Sequence, residues 1–226
     1  MNNLFCRSNS LRTVIAASVL FACGVVVADV PGGSDLIAEG TELPAIRLDS
    51  LPDFDSLRDT WGRSMDYQAL CELSIPTKAW SAAEEVGDYE KAYGIVSAWL
   101  TKCPVSERVH LWAISDLMRM GDKKREDAHR QWYRGLIRSA LKTGDGKSPE
   151  TAWEPISVAE EYSIVQHLGL RAEKQSVVHG PLDRLTVRPK DGGNSFDLYF
   201  NPRLHFARMA RALGEDTPMN GPARIK

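Results

Sequence analysis

The segment Gly87-Asp88-Tyr89-Glu90-Lys91-Ala92, together with Pro104 twelve residues after its end, decides the fold of the first half of the chain. Glycine permits a tight turn between two helices, alanine lets helix backbones approach closely, and proline stops a helix. Apolar residues three or four apart follow the turn and form one face of a helix: Tyr93, Val96, Trp99 and Leu100. The pattern predicts a pair of antiparallel helices joined at Gly87.

A second helical pair is predicted on either side of Gly121. Apolar residues recur there at helical spacing, with Val109, Trp112, Leu117 and Met120 before the glycine and Ala128, Trp132, Leu136 and Ile137 after it. The segment around Gly87 resembles the second half of a tetratricopeptide repeat. We therefore predict a degenerate tetratricopeptide-like region of helical hairpins over residues 54–143, beginning with a helix that Asp53 caps.

Residues 144–213 follow a different pattern. A turn-rich boundary at 144–149 precedes a helix over 158–168, which Ser157 caps. Three strands are predicted over 176–179, 182–188 and 196–200. Pro202 opens a last helix whose predicted inward residues are Leu204, Phe206, Met209, Ala210 and Leu213. The predicted fold class is α+β, mainly α, with helical hairpins followed by a small α+β region that holds a short antiparallel sheet. Residues 214–226 are predicted to be a flexible tail.

Residues 1–28 have the organisation of a secretory signal. Arg7 and Arg12 precede an apolar run from 14 to 27, and Val26-Val27-Ala28 offers small side chains for cleavage. A run of about 14 residues is shorter than the roughly 20 that span a bilayer. We therefore predict export, cleavage near Ala28 and no integral membrane segment in the mature chain. The alternatives are a lipoprotein with its lipid on Cys23 and an uncleaved anchor.

Charge and cysteine content limit the remaining possibilities. Residues 1–28 contain two arginines and no acidic residue, so their removal changes the formal charge from −2 to −4. Nucleic-acid binders usually carry a basic surplus, so no nucleic-acid partner is predicted. Residues 29–53 are predicted to be an extended lead-in. Once residues 1–28 are removed, Cys71 and Cys103 are the two remaining cysteines. An oxidising compartment favours a disulfide between them, and the alternatives are buried free thiols or a nucleophile or metal pair.

The sequence contains no complete catalytic or cofactor signature. Gly144–Ser148 resembles a phosphate loop, but Leu141 replaces its first glycine and Pro149 lacks an amide hydrogen. None of the histidines has metal-ligand spacing, and His110 and His129 are expected to lie at the surface of their helices. Glu160 and Glu161 point about 100° apart on a helix, which capping or solvation explains. Five tryptophans are predicted to pack in the helical core, with an aromatic groove for a peptide or glycan as the alternative: Trp61, Trp80, Trp99, Trp112 and Trp132. No cofactor or metal site is predicted.

Several segments together resemble a known family. They are, in order along the chain, 135–139, the block Gly144-Asp145-Gly146-Lys147-Ser148-Pro149-Glu150-Thr151-Ala152, 160–162, 175–176 and 198–201. The chain resembles the uncharacterised, mostly bacterial and exported domain-of-unknown-function family 4919 over roughly residues 85–205. This resemblance implies export and a helical front with a small α+β end, but no reaction. It singles out seven candidate binding residues, which would otherwise serve as hydrogen-bonding groups at the joint between the two parts: Lys147, Glu150, Glu161, Tyr162, Gln175, Tyr199 and Asn201.

The leading functional hypothesis is a non-catalytic module of the cell envelope whose helical hairpins bind a protein or peptide. The alternative is a hydrolase-type enzyme in which Glu150, Glu161 and Tyr199 converge at the junction of the two parts. A third hypothesis is a structural or immunity-type partner of a protein encoded beside it.

Overall fold

The computed structural model describes residues 36–44, 47, 50–178 and 180–214. The predicted signal segment and residues 215–226 lie outside these described residues. The helices are α1 Phe54–Arg63, α2 Thr77–Glu85, α3 Tyr89–Leu100, α4 Glu107–Met120, α5 Lys123–Leu141, α6 Val158–His167 and α7 Arg203–Ala212. The strands are β1 Leu170–Val178, β2 Leu182–Pro189 and β3 Phe196–Phe200. The predicted mainly helical α+β class is confirmed.

Two glycines form the turns of the helical hairpins. Gly87 and Gly121 have φ angles of 73° and 74°, which are left-handed values that favour glycine. The next residue caps the following helix in both hairpins, because Asp88 accepts from the Lys91 amide and Asp122 accepts from the Arg125 amide. The α2–α3 and α4–α5 hairpins are therefore present as predicted, while their likeness to tetratricopeptide repeats stays a prediction.

A disulfide joins Cys71 to Cys103, which confirms the predicted pairing. Cys71 lies in a π-helical segment over Gln68–Leu73, and Cys103 follows α3. Both cysteines are buried in the helical core. The bond closes a loop of 32 residues that contains all of α2 and α3. It therefore fixes the first hairpin to the segment that follows α1.

The three strands form an antiparallel sheet in the order β1-β2-β3. The prediction placed the start of the first strand at 176, but β1 begins at Leu170. The missed part carries charged residues because β1 is an edge strand whose side chains mostly face water. A bulge between Ala172 and Lys174 also interrupts the alternation that a sequence pattern needs.

The inward face of α7 also differs from the prediction. Met209 and Leu213 are exposed, whereas Arg208 is buried. The Arg208 guanidinium donates to the carbonyl oxygens of Gly62 and Ile156 and lies 4.5 Å from the centroid of the Tyr67 ring. Carbonyl groups buried at this junction require donors, and arginine supplies several in one plane.

The core consists of two clusters that meet along α5. The first cluster lies among α1, α3, α4 and α5, and the second lies between α5, α6 and the sheet. Trp61, Trp99 and Trp132 are buried in the first cluster, as predicted. Trp80 and Trp112 are partly buried and stack with ring centroids 4.4 Å apart. Within the described ranges, no helix is both long enough and apolar enough to span a membrane.

Candidate functional site

The block 144–152 forms a loop that closes on itself. The Asp145 carboxylate accepts from the Lys147 amide at 3.0 Å and from the Thr151 hydroxyl at 2.5 Å. The Asp145 and Gly146 amides both donate to the Thr151 carbonyl oxygen. These three amides are committed within the loop and are not available to cradle a phosphate, so the loop does not serve as a phosphate loop.

Trp153 is the side chain around which this loop is built. Gly146 has a φ of +65°, and a Cβ atom there would lie 2.4 Å from the Trp153 ring. The Trp153 indole donates to the Gly144 carbonyl oxygen at 3.0 Å. The position therefore requires glycine both for its backbone angle and for the close approach of the ring.

The same loop is attached to the last strand. The Tyr199 amide donates to the Gly146 carbonyl oxygen at 2.9 Å, and the Asn201 amide donates to the Trp153 carbonyl oxygen at 2.7 Å. Two of the seven candidate residues thus bind the loop through their backbones. Lys147 and Glu150 are exposed on the loop, and the Ser148 hydroxyl lowers the pKa of Glu150 by hydrogen bonding.

Three other candidates meet where α6 packs on the sheet. The Tyr162 hydroxyl donates to Gln175 Oε1 at 2.7 Å, and Gln175 Nε2 donates to Asp183 Oδ2 at 3.1 Å. Glu161 lies beside Asp183 and has no exposed surface. Asp183 was not named as a site residue from the sequence. Its position two residues before Leu185 in a predicted strand indicates that it faces inward.

Glu161 is uncharged at neutral pH. Its burial, followed by the adjacent Asp183 carboxylate, raises its pKa to about 9. Burial also raises the pKa of Asp183. Neither capping nor solvation therefore explains Glu161, because its side chain is buried in the interface between α6 and the sheet and makes no hydrogen bond to a backbone amide of the described residues.

The geometry does not assemble the predicted hydrolase site. Asp183 pairs with Phe200 and Arg184 pairs with Tyr199, and successive strand residues point to opposite faces of a sheet. Tyr199 consequently lies on the face opposite the one against which Glu161 packs. Glu161 and Tyr199 do not converge.

Glu160 is also buried, so solvation does not explain it, whereas its carboxylate accepts from a backbone amide at the start of α6, which agrees with the capping alternative. Arg58 binds both oxygens of this carboxylate, at 2.6 and 2.9 Å, and the Ile156 amide donates to it at 2.6 Å. Glu107 lies next to the pair, and its pKa is raised well above the usual value, first by burial and then by Glu160. These three side chains connect α1, α4 and α6, and all three are buried, so none of them is accessible to a ligand from solvent.

His110 and His129 are buried, contrary to the expected surface positions. Both have no exposed surface, and their Nδ1 atoms lie 2.9 Å apart. The apolar residues that follow each histidine at helical spacing, such as Ile114 and Trp132, would have indicated burial. The described residues contain no group of three or more His, Cys, Asp and Glu side chains arranged to hold a metal ion.

A groove of about 370 Å³ runs between the residues that open α1 and the exposed face of α5. The Phe54 ring lies against the backbone of Gly135, where a Cβ atom would come within 2.2 Å of the ring. Leu51 and Pro52 continue this apolar floor. The groove is within the size range of ligand sites, and it lies between segments about 80 residues apart in the sequence. Sequence reasoning missed it for that reason.

The α5 side of the groove carries three cationic residues. Lys142 Nζ lies 2.8 Å from Asp55 Oδ2, and this contact lowers the pKa of Asp55. Arg134 and Arg138 are exposed and line the same side. The groove can therefore combine apolar contact with binding of an anion.

The sequence model of the domain of unknown function DUF4919 matches residues 77–206. The chain belongs to the DUF4919 family. This membership confirms the resemblance carried by the block 144–152, and the match includes the α5 side of the groove but not α1. No curated protein and no solved structure matches this DUF4919 protein.

Proposed function

We propose that this DUF4919 protein is an exported, non-catalytic module of the cell envelope that binds a peptide segment of a protein partner in the groove between α1 and α5. The observation that carries the proposal is the groove itself, with its apolar floor of Leu51, Pro52 and Phe54 beside polar and cationic residues of α5. Ligand sites commonly combine an apolar surface with a few polar groups that fix orientation. The volume of the groove suits a few side chains of an extended peptide.

The disulfide supports the exported part of the proposal. Cys71 and Cys103 are bonded, and structural disulfides are typical of oxidising compartments. Mass spectrometry of the protein from its native host tests this part. We expect a chain that starts after Ala28 and lacks the two thiol hydrogens. A chain that retains residues 1–28, or one with reduced cysteines, would contradict it.

A peptide-display selection against the purified mature chain tests the binding. Leu51 is 51% exposed in the groove and Leu73 is 77% exposed but does not line the groove, so Leu51→Asp and Leu73→Asp are matched variants. We expect enriched peptides to bind the wild type and Leu73→Asp and to lose binding to Leu51→Asp. The proposal fails if no peptide is enriched, or if the enriched peptides bind Leu51→Asp unchanged.

A further inference from the structure

Arg134 and Arg138 differ from most arginines of the protein. Among the described residues, Arg108, Arg134 and Arg138 make no hydrogen bond and no ion pair, and the electrostatic contact of Arg134 is a repulsion that lowers the pKa of His167. Two of these three line the groove, whereas Arg108 does not. An anion that binds in the groove would therefore gain two guanidinium partners without breaking an existing ion pair.

The spacing of the two arginines suits a single anionic group. Residues four apart on a helix lie on one face, separated by about 6 Å along the axis. Guanidinium groups present paired donors that match the two oxygens of a carboxylate. Arg134 and Arg138 can thus approach one carboxylate from adjacent helical turns.

The acidic residues of the groove do not compete for these arginines. The Asp53 carboxylate caps α1 by accepting from the Asp55 amide and the Ser56 hydroxyl. Asp55 is paired with Lys142. Both carboxylates are already engaged, so the α5 side remains available to a negatively charged ligand.

We propose that the groove selects a peptide in which a carboxylate contacts Arg134 and Arg138 while a neighbouring apolar side chain lies on Phe54. This inference rests on the proposed peptide-binding function and specifies its ligand. The apolar floor favours a peptide over an inorganic anion, because an isolated anionic group leaves Phe54 and Leu51 uncovered. The carboxylate belongs either to an Asp or Glu side chain or to a peptide C-terminus.

Two display libraries of ten-residue peptides with amidated C-termini test the inference, one with a fixed central Glu-Leu and one with a fixed central Gln-Leu. If the carboxylate belongs to a side chain, we expect peptides of the Glu library to be enriched at least tenfold more than those of the Gln library. If it belongs to a peptide C-terminus, we expect binding peptides to be enriched from a third library with free C-termini. The variant Arg134→Gln/Arg138→Gln should lose the preference. The control Lys102→Gln/Arg108→Gln, which changes the same charge at two exposed residues outside the groove, should keep it.

The outcomes separate this inference from the function on which it rests. Equal enrichment from the Glu and Gln libraries, without recovery from the free C-termini, would overturn the inference and leave peptide binding intact. No enrichment from any library would contradict peptide binding itself. Binding of inorganic phosphate or phosphatidylglycerol vesicles at Arg134 and Arg138, without peptide binding, would also overturn the inference. All four substituted side chains are exposed, so circular dichroism and thermal unfolding should match those of the wild type.

Discussion

His110 and His129 form one directed chain of hydrogen bonds through the helical core. His110 Nε2 lies 2.9 Å from the Pro104 carbonyl oxygen, which only accepts, so this nitrogen carries the hydrogen. Because burial favours the neutral form of both rings, His110 Nδ1 accepts from His129 Nδ1, 2.9 Å away. His129 Nε2 is left to accept from the Tyr93 hydroxyl at 3.4 Å. The chain links α3, α4 and α5, and its Nδ1–Nδ1 contact requires at least one of the two imidazoles to be neutral.

This arrangement predicts loss of stability in acid. Burial lowers the pKa of His110 to about 3 and that of His129 to about 4, from an ordinary value of 6.5. Groups with lowered pKa values stabilise the fold above the unfolded value, and this contribution is lost as the pH falls from about 6.5 through 4. His129→Gln should flatten this dependence in urea unfolding at pH 7, 6, 5 and 4.

His167→Gln is the control for the histidine prediction, since His167 is exposed and takes no part in the hydrogen-bond chain of His110 and His129. It should change the pH dependence much less than His129→Gln. If the free energy of unfolding of His129→Gln falls with decreasing pH as steeply as that of the wild type, the prediction that His129 is neutral in the folded protein is wrong.

Glu161 predicts the opposite dependence on pH. Its pKa of about 9 lies above the ordinary 4.5, so the unfolded chain releases this proton first, and stability falls as the pH rises from about 4.5 to 9. Glu161→Gln should therefore be more stable than the wild type at pH 8, by a few kcal/mol at most. Urea unfolding at pH 4.5 and pH 8 measures this difference.

The exposed Glu150 gives the matched control, because Glu150→Gln should change stability far less than Glu161→Gln at either pH. If the stability difference between Glu161→Gln and the wild type is the same at pH 4.5 and pH 8, Glu161 does not hold a proton in the folded protein.

The disulfide should contribute strongly to stability. A bond that closes a loop of 32 residues restricts the unfolded chain and is worth roughly 3–4 kcal/mol. Cys71→Ala/Cys103→Ala should lower the free energy of unfolding by about that amount, and reduction of the wild type should have a comparable effect. A loss below about 1 kcal/mol would show that the bond adds little to the packing of α2 and α3.

Gly146 should tolerate substitution less well than Gly87. Both have positive φ, but a Cβ atom meets the Trp153 ring at position 146 and meets nothing within 4 Å at position 87. We expect Gly87→Ala to cost about 1 kcal/mol and Gly146→Ala about 2–4 kcal/mol, because overpacking adds to backbone strain. Chemical denaturation measures both. Equal losses would mean that the loop does not enclose Trp153 as described.

Local sequence signals predicted the parts of the fold that local interactions determine. Gly87 and Gly121 end helices through their backbone angles, and Asp53 and Ser157 cap the helices that follow them. These features depend on a few neighbouring residues. The disulfide was also predictable, because only one pair of cysteines remains after the predicted signal segment.

The buried polar groups were harder to predict, because their charged side chains suggested exposure although their positions on the helices indicated burial. Glu161 precedes Ile164 and Val165 at helical spacing, so it lies on the inward face of α6 despite its carboxylate. The groove has no local signature at all. It forms where Phe54 meets Gly135, and neither residue alone indicates a binding surface.

Fluorescence anisotropy of one selected amidated peptide and its Glu→Gln counterpart, each titrated with the wild type and with Arg134→Gln/Arg138→Gln, tests the central claim most directly. We predict that the wild type binds the Glu peptide at least tenfold more tightly than the Gln peptide, and that the double variant binds the two peptides equally. The same preference in both proteins would contradict recognition of a carboxylate by Arg134 and Arg138.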